Sequence, residues 1–203
     1  ARSRVPQEFQ VQHPTHANPP MHIYALFKMT EKIAKVKLEA KNHITVHVDA
    51  TITTSLASVA SHHVQYLQEM YAALKKSYDW YTSTQVAPME SKAYQWRGRT
   101  PGHTLSSGLD DYPRGTAVPR KTERHVDLFC WIYMMTRAMQ NMRQVMNQQV
   151  NSNMEHDSEW QKYNLRATEM LKQLKQYHWN EKLEWYSDFV GPQENATMRE
   201  WSD

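Results

Sequence analysis

Asp110 and Asp111 are adjacent, lie between Gly108 and Pro113, and are followed by Tyr112 and Arg114. Two carboxylates forced together repel, and in a partly desolvated site one of them is pushed toward its protonated form. A carboxylic acid kept protonated near neutral pH is what a glycosidic oxygen needs as its proton donor. Tyr112 and Trp96 could supply aromatic surface for a sugar ring. Arg97, Arg99 and Arg114 could hold hydroxyl groups or keep the second carboxylate ionised. By composition alone, a solvated acidic turn before a proline, with its arginines in surface ion pairs, is the commoner fate of such a stretch.

The other reactive side chains offer less. His43 and His47 stand four apart in a segment that reads as a strand, where such positions are distant, and His62 and His63 diverge on a helix. None has zinc-ligand spacing with a supporting partner, so no metal is expected. No cofactor motif or Gly-rich phosphate loop is present, and no local motif suggests a Ser-His-Asp arrangement. His125 and Asp127 sit at the start of a helix beside the aspartate pair, as supporting groups for it or as ordinary helix-start polar residues. Cys130 lies in the apolar run FCWIYMM and is expected to be a buried, inert thiol.

The elements that must position these groups are mainly helical. A helix is expected from about Met21 to Lys41, after a proline-punctuated start. Residues 44 to 52 alternate apolar and polar, which is a strand signal. Three amphipathic helices follow. Their stripes are Ala60, Val64, Leu67, Tyr71, Leu74, Tyr78 and Tyr81; then Leu128, Ile132, Met135, Met139, Met142 and Met146; then Tyr163, Ala167, Met170, Leu174 and Tyr177. Steps of three and four place each set on one face, which must be buried on a neighbour. The methionines read as core filling. Thr122 and Ser158 are the expected N-caps of the last two helices. Residues 85 to 120 form a long connection, and four of the five glycines fall in 98 to 115. A connection of that length inside a helical domain is usually functional.

With 203 residues, the chain is long enough for one domain with a core, and no internal cut is expected. A net charge of +3 without a basic run argues against nucleic acid as a partner. No stretch approaches a membrane span or a signal peptide, so this segment is expected to make no membrane contact. The first residue is Ala rather than Met, which points to a processed product or an internal fragment. Asn195-Ala196-Thr197 is a glycosylation sequon.

The stretch SGLDDYPR resembles the catalytic domain of glycoside hydrolase family sixty-three, the processing alpha-glucosidases of the endoplasmic reticulum. Four further stretches are similar, in the same order: VPQEFQVQHPTHANPP (5 to 20), YQWRGR (94 to 99), TERHVDL (122 to 128) and HWNEKLEWYSDFVG (178 to 191). Residues about 35 to 57 depart from the pattern. They look longer than the family's helix connection, as a lineage-specific insertion or a retained coding segment would be.

The resemblance implies an (α/α)6 toroid, of which this chain supplies a sector. It implies an inverting alpha-glucosidase that removes the terminal glucose of the Glc3Man9GlcNAc2 N-glycan precursor. The partner would be the glucosylated oligosaccharide on nascent glycoproteins. The setting would be the lumenal side of the endoplasmic reticulum membrane, with an anchor upstream. By motif match, Asp110 is the general acid. Asp111, Tyr112 and Arg114 shape the glucose pocket, with Trp96, Arg97 and Arg99 nearby. Asn195 falls where lumenal members can carry a glycan. The family's base lies further along than this chain reaches, so the isolated chain is expected to be inactive and marginally stable. A trehalase-like hydrolase and a non-catalytic helical module that binds glycan or protein are the alternatives.

Overall fold

The computed structural model describes residues 15–43, 50–88, 90–97, 107–109, 123–147 and 156–189. Among these the chain is mainly α, as the patterning implies. Four helices are α1 (Met21–His43), α2 (Ala50–Thr84), α3 (Val126–Asn147) and α4 (Ser158–His178). The short strands β1 (Val86–Ala87) and β2 (Glu90–Tyr94) form one antiparallel hairpin, and β3 (Trp179–Asn180) and β4 (Trp185–Tyr186) form another.

The described residues fall into two units. One draws on Pro19–Thr84 and Cys130–Lys172. There α1 and α2 pack as an antiparallel pair, with the His22 ring 3.3 Å from Ser77 Oγ. The expected stripes are the buried faces. Val64, Leu67, Met135, Met139, Met142 and Met170 have no exposed surface. Burying one such side chain stabilises by about 1.5–3 kcal/mol, so the methionines are core. Tyr78 meets Tyr163 edge to face at 5.5 Å, and its hydroxyl lies 3.2 Å from Thr136 Oγ1.

The other unit draws on Ala1–Asn18, Gln85–Phe129 and Gln173–Asp203, and both hairpins belong to it. Its described core includes Tyr94, Trp96, Leu128 and Phe129.

Three local expectations change. Ala50, Thr51 and Ile52 belong to α2, so the alternation did not make a strand there. Strand preference reflects a pleated partner surface, and in these residues the continuous helix wins. Residues 44–49 lie outside the described ones. The cap of α4 is Asp157 rather than Ser158, since Asp157 Oδ1 accepts the N–H groups of Glu159 and Trp160. Thr122 lies outside the described residues. Cys130 is exposed, because it falls between the buried positions Phe129 and Ile132 on the outer side of α3. Among the described residues no helix is long and apolar enough to cross a membrane.

Candidate active site

The long connection leaves β2 at Tyr94 and returns at Glu123, and its two ends are fastened to each other. The His125 N–H donates to the Tyr94 carbonyl at 2.9 Å. In return, the Trp96 N–H donates to His125 Nδ1 at 3.0 Å. The Trp96 indole N–H donates to Asp127 Oδ2, also at 3.0 Å. Trp96 and His125 have no exposed surface. A buried N–H without an acceptor costs about 1–3 kcal/mol, so the imidazole and the carboxylate are what allow Trp96 to sit inside.

The acceptor role fixes the imidazole. With Nδ1 accepting, the neutral ring carries its proton on Nε2. Nε2 lies 3.3 Å from the Glu123 carboxylate, attracted to it but off the line of a hydrogen bond. Glu123 is itself buried.

The returning strand is pinned from a second side. Arg124 and Phe189 exchange both backbone hydrogen bonds, at 2.8 and 3.0 Å. The Arg124 guanidinium lies over Tyr177 at 4.9 Å and over Phe189 at 4.5 Å. Asp188 Oδ1 then accepts the N–H of Val126, the first residue of α3, at 2.8 Å. His178 Nδ1 bonds the Ser187 carbonyl at 3.0 Å, and the ring packs edge-on to Phe129. Burial lowers the His178 pKa below its ordinary value.

Within the connection, Ser107 to Leu109 are described. Gly108 has φ +76°, a left-handed conformation that a residue with a Cβ adopts at a cost. The Ser107 hydroxyl accepts the Leu109 N–H at 3.2 Å and closes a local turn. This turn hands the chain to residue 110. The conformation supplies a reason for a glycine at this position.

Of the residues singled out in the sequence, Trp96 and Arg97 are placed. Trp96 is buried among protein groups and presents no face on which a sugar could stack. Arg97 is half-buried and donates to the Val86 carbonyl at 2.7 Å, and burial lowers its pKa. Arg99, Asp110, Asp111, Tyr112, Arg114 and Asn195 lie outside the described residues. His125 and Asp127 both hold Trp96. Arg124 and Asp188 were missed. The Asp188 partner is 62 residues away, and no spacing rule links such a pair.

The glycosyl hydrolase family 63 C-terminal domain matches residues 1–202. The chain is 32% identical over 204 residues to a probable mannosyl-oligosaccharide glucosidase of Schizosaccharomyces pombe, covering 93% of this chain and 24% of that protein. It is 30% identical over 224 residues to the mannosyl-oligosaccharide glucosidase of Saccharomyces cerevisiae, covering 99% of this chain and 26% of that one. A similar identity of 30% over 156 residues, covering 73% of this chain and 16% of that protein, links it to the mannosyl-oligosaccharide glucosidase GCS1 of Arabidopsis thaliana. The chain thus spans about a quarter of the length of the two fungal relatives. With nearly every residue inside one family match, the chain belongs to glycosyl hydrolase family 63, within its C-terminal domain.

Proposed function

We propose that this chain is a sector of an inverting alpha-glucosidase that trims the terminal glucose from the Glc3Man9GlcNAc2 N-glycan precursor, with Asp110 as the general acid. The observation that carries this is the anchored connection. A proton donor must be held still relative to the glycosidic oxygen. The Ser107–Leu109 turn directly precedes residue 110, and the two ends of the connection, at Trp96 and His125, are bonded to each other. The names of the fungal relatives add the substrate class.

In this reading Asp111, Tyr112, Arg114 and Arg99 shape the glucose pocket, while Trp96 and Arg97 support it from within the protein. The base is a carboxylate outside this chain, about 6.5–9.5 Å from the acid, which leaves room for the attacking water. Glu123 and Asp127 are poor candidates for it. The first is buried against His125 and the second holds the Trp96 indole. The sector belongs to one (α/α)6 domain on the lumenal side of the endoplasmic reticulum membrane, with a glycan at Asn195.

The test is Asp110→Asn in the full-length protein, assayed for glucose release from the glucosylated oligosaccharide and from trehalose. Loss of a general acid lowers turnover by about 10²–10⁴-fold. Substantial residual release from a folded variant places the acid elsewhere. Preference for trehalose makes the enzyme a trehalase-like hydrolase.

A further inference from the structure

His178 is the last residue of α4, and the second hairpin leaves the helix there. The ring is buried between Phe129 and Ser187. The His178 carbonyl accepts the Ser187 N–H at 2.9 Å, and Nδ1 bonds the Ser187 carbonyl at 3.0 Å. A carbonyl can only accept, so Nδ1 carries the proton of the neutral ring and Nε2 is a bare lone pair. That lone pair is buried and has no hydrogen bond. A second proton can enter the ring only there. It creates a buried cation whose new N–H has no acceptor, and that is costly.

The surrounding groups do not relieve the cost. Burial is the largest influence holding the ring below its ordinary 6.5. The Ser187 carbonyl and the Asp188 carboxylate favour the proton, and Arg124 and His125, on the segment leading into α3, oppose it. Asp188 already accepts the Val126 N–H, and Glu123 stands against His125. From α3 the ring meets Phe129, which is uncharged. The proton is therefore taken up more cheaply in water. The two covers of the ring differ in strength. Phe129 has no exposed surface. The hairpin pairs only Trp179 with Tyr186 and Asn180 with Trp185, and Trp185 and Tyr186 are about half exposed. So short a hairpin is marginal alone, and the way to water runs past it.

We propose that His178 is an acid-sensitive latch: a proton on Nε2 releases residues 179–189 from the ring, from Arg124 and from the Val126 N–H, while the helices stay folded. The bonds given up are those of Ser187 to His178, Phe189 to Arg124 and Asp188 to Val126. Acid thus strips the N-terminus of α3 of its Asp188 acceptor. The latch does not depend on which residue is the general acid.

The test is peptide-resolved hydrogen exchange of the full-length protein at pH 7 and pH 5. Each pH is sampled at several denaturant concentrations below the unfolding transition, with rates corrected for their intrinsic pH dependence. Protection of the amides in 179–189 is expected to fall several-fold at pH 5. The ceiling is about 25-fold, set by a ring that titrates at its ordinary value once open. This opening exposes little surface and should depend little on denaturant, whereas the interiors of α3 and α4 should keep the steep dependence of global unfolding. His178→Asn keeps a donor for the Ser187 carbonyl and takes up no proton, so its hairpin should hold the same protection at both pH values.

Equal protection of 179–189 at pH 7 and pH 5 in the wild type overturns the proposal, and that result needs no variant. A hairpin that exchanges with the denaturant dependence of α3 overturns it too, because it then opens only when the whole domain does. A pH response that survives in folded His178→Asn places the proton elsewhere and has the same consequence.

Discussion

At its first turn, helix α3 receives Asp188 on the Val126 N–H and directs Asp127 to the Trp96 indole. Toward its other end, Arg143 and Asn147 converge on Asp157, the residue that caps α4. Arg143 places two nitrogens on Asp157 Oδ2, at 2.9 and 2.6 Å, and stacks over the Tyr71 ring. Both of Asp157's oxygens are engaged, one by side chains and one by the N–H groups of α4. The first cluster works differently. Its bonds mostly involve main-chain atoms, and it leaves His125 Nε2 and His178 Nε2 buried without a hydrogen bond.

The difference separates two tasks that a polar cluster can perform. A carboxylate saturated by charged and neutral donors fixes a helix end and contributes stability. A cluster spread along the backbone contributes less energy per bond and instead joins the two ends of a connection. Buried groups left unpaired are uncommon and call for explanation. Here Trp160 Nε1, in the first turn of α4, is a further such group among the described residues.

This contrast can be broken at either end. Asp157→Ala is expected to have the largest effect on stability, about 3 kcal/mol, because it strips the α4 cap and leaves Arg143 without its carboxylate. A denaturation midpoint measures it, and kcat of the folded protein should not change. Trp96→Phe keeps the ring and deletes the indole N–H, at a cost of about 1–2 kcal/mol in stability. Here kcat should fall with it, and a variant with intact kcat would remove the functional half of the contrast. Gly108→Ala should cost about 1 kcal/mol from its positive φ, with lower glucose release and a melting point lowered by only about 2–4 °C.

The smallest effect is a pH slope. Burial holds His178 below its ordinary 6.5. The unfolded chain therefore takes up a proton at a pH where the folded chain does not. Stability falls as pH drops through 6.5 toward the folded value. His178→Asn, which retains a donor for the Ser187 carbonyl, should flatten that slope in melts between about pH 7 and 5. The second cluster responds in another window. Burial opposes the Asp157 charge, but Asn147, the Trp160 N–H and Arg143 outweigh it and hold the carboxyl below 3.8. Its contribution is present above 3.8 and is lost only as pH falls through the lowered value. A single shared pH window for both losses would erase the distinction.

The stripes from Leu128 to Met146 and from Val64 to Tyr81 were readable because helix periodicity is local and burial enforces it. The same locality explains the failures. At residues 50–52 the alternation Ala50, Thr51, Ile52 was real, but it sat at the head of a long helix whose register is set elsewhere. Cys130 was misjudged because an apolar run says nothing about which of its members faces outward until the buried neighbours are fixed. For the candidate site, SGLDDYPR and TERHVDL stood out as motifs, and residues 110–114 of the first lie outside the described ones. The Trp96 bonds to His125 and Asp127 cross about thirty residues, and Asp188 acts across 62, so only folding reveals them.

The bridge from Arg124 to Phe189 and the Asp188 cap also impose an order in time. A ribosome adding roughly 5–20 residues per second needs roughly 3–12 s to travel from Val126 to Asp188. Until then the returning end of the connection lacks its last fastening, whatever the helices behind it have achieved. The nascent chain therefore carries Arg124 and Val126 without these partners for seconds, until Asp188 and Phe189 have been synthesised.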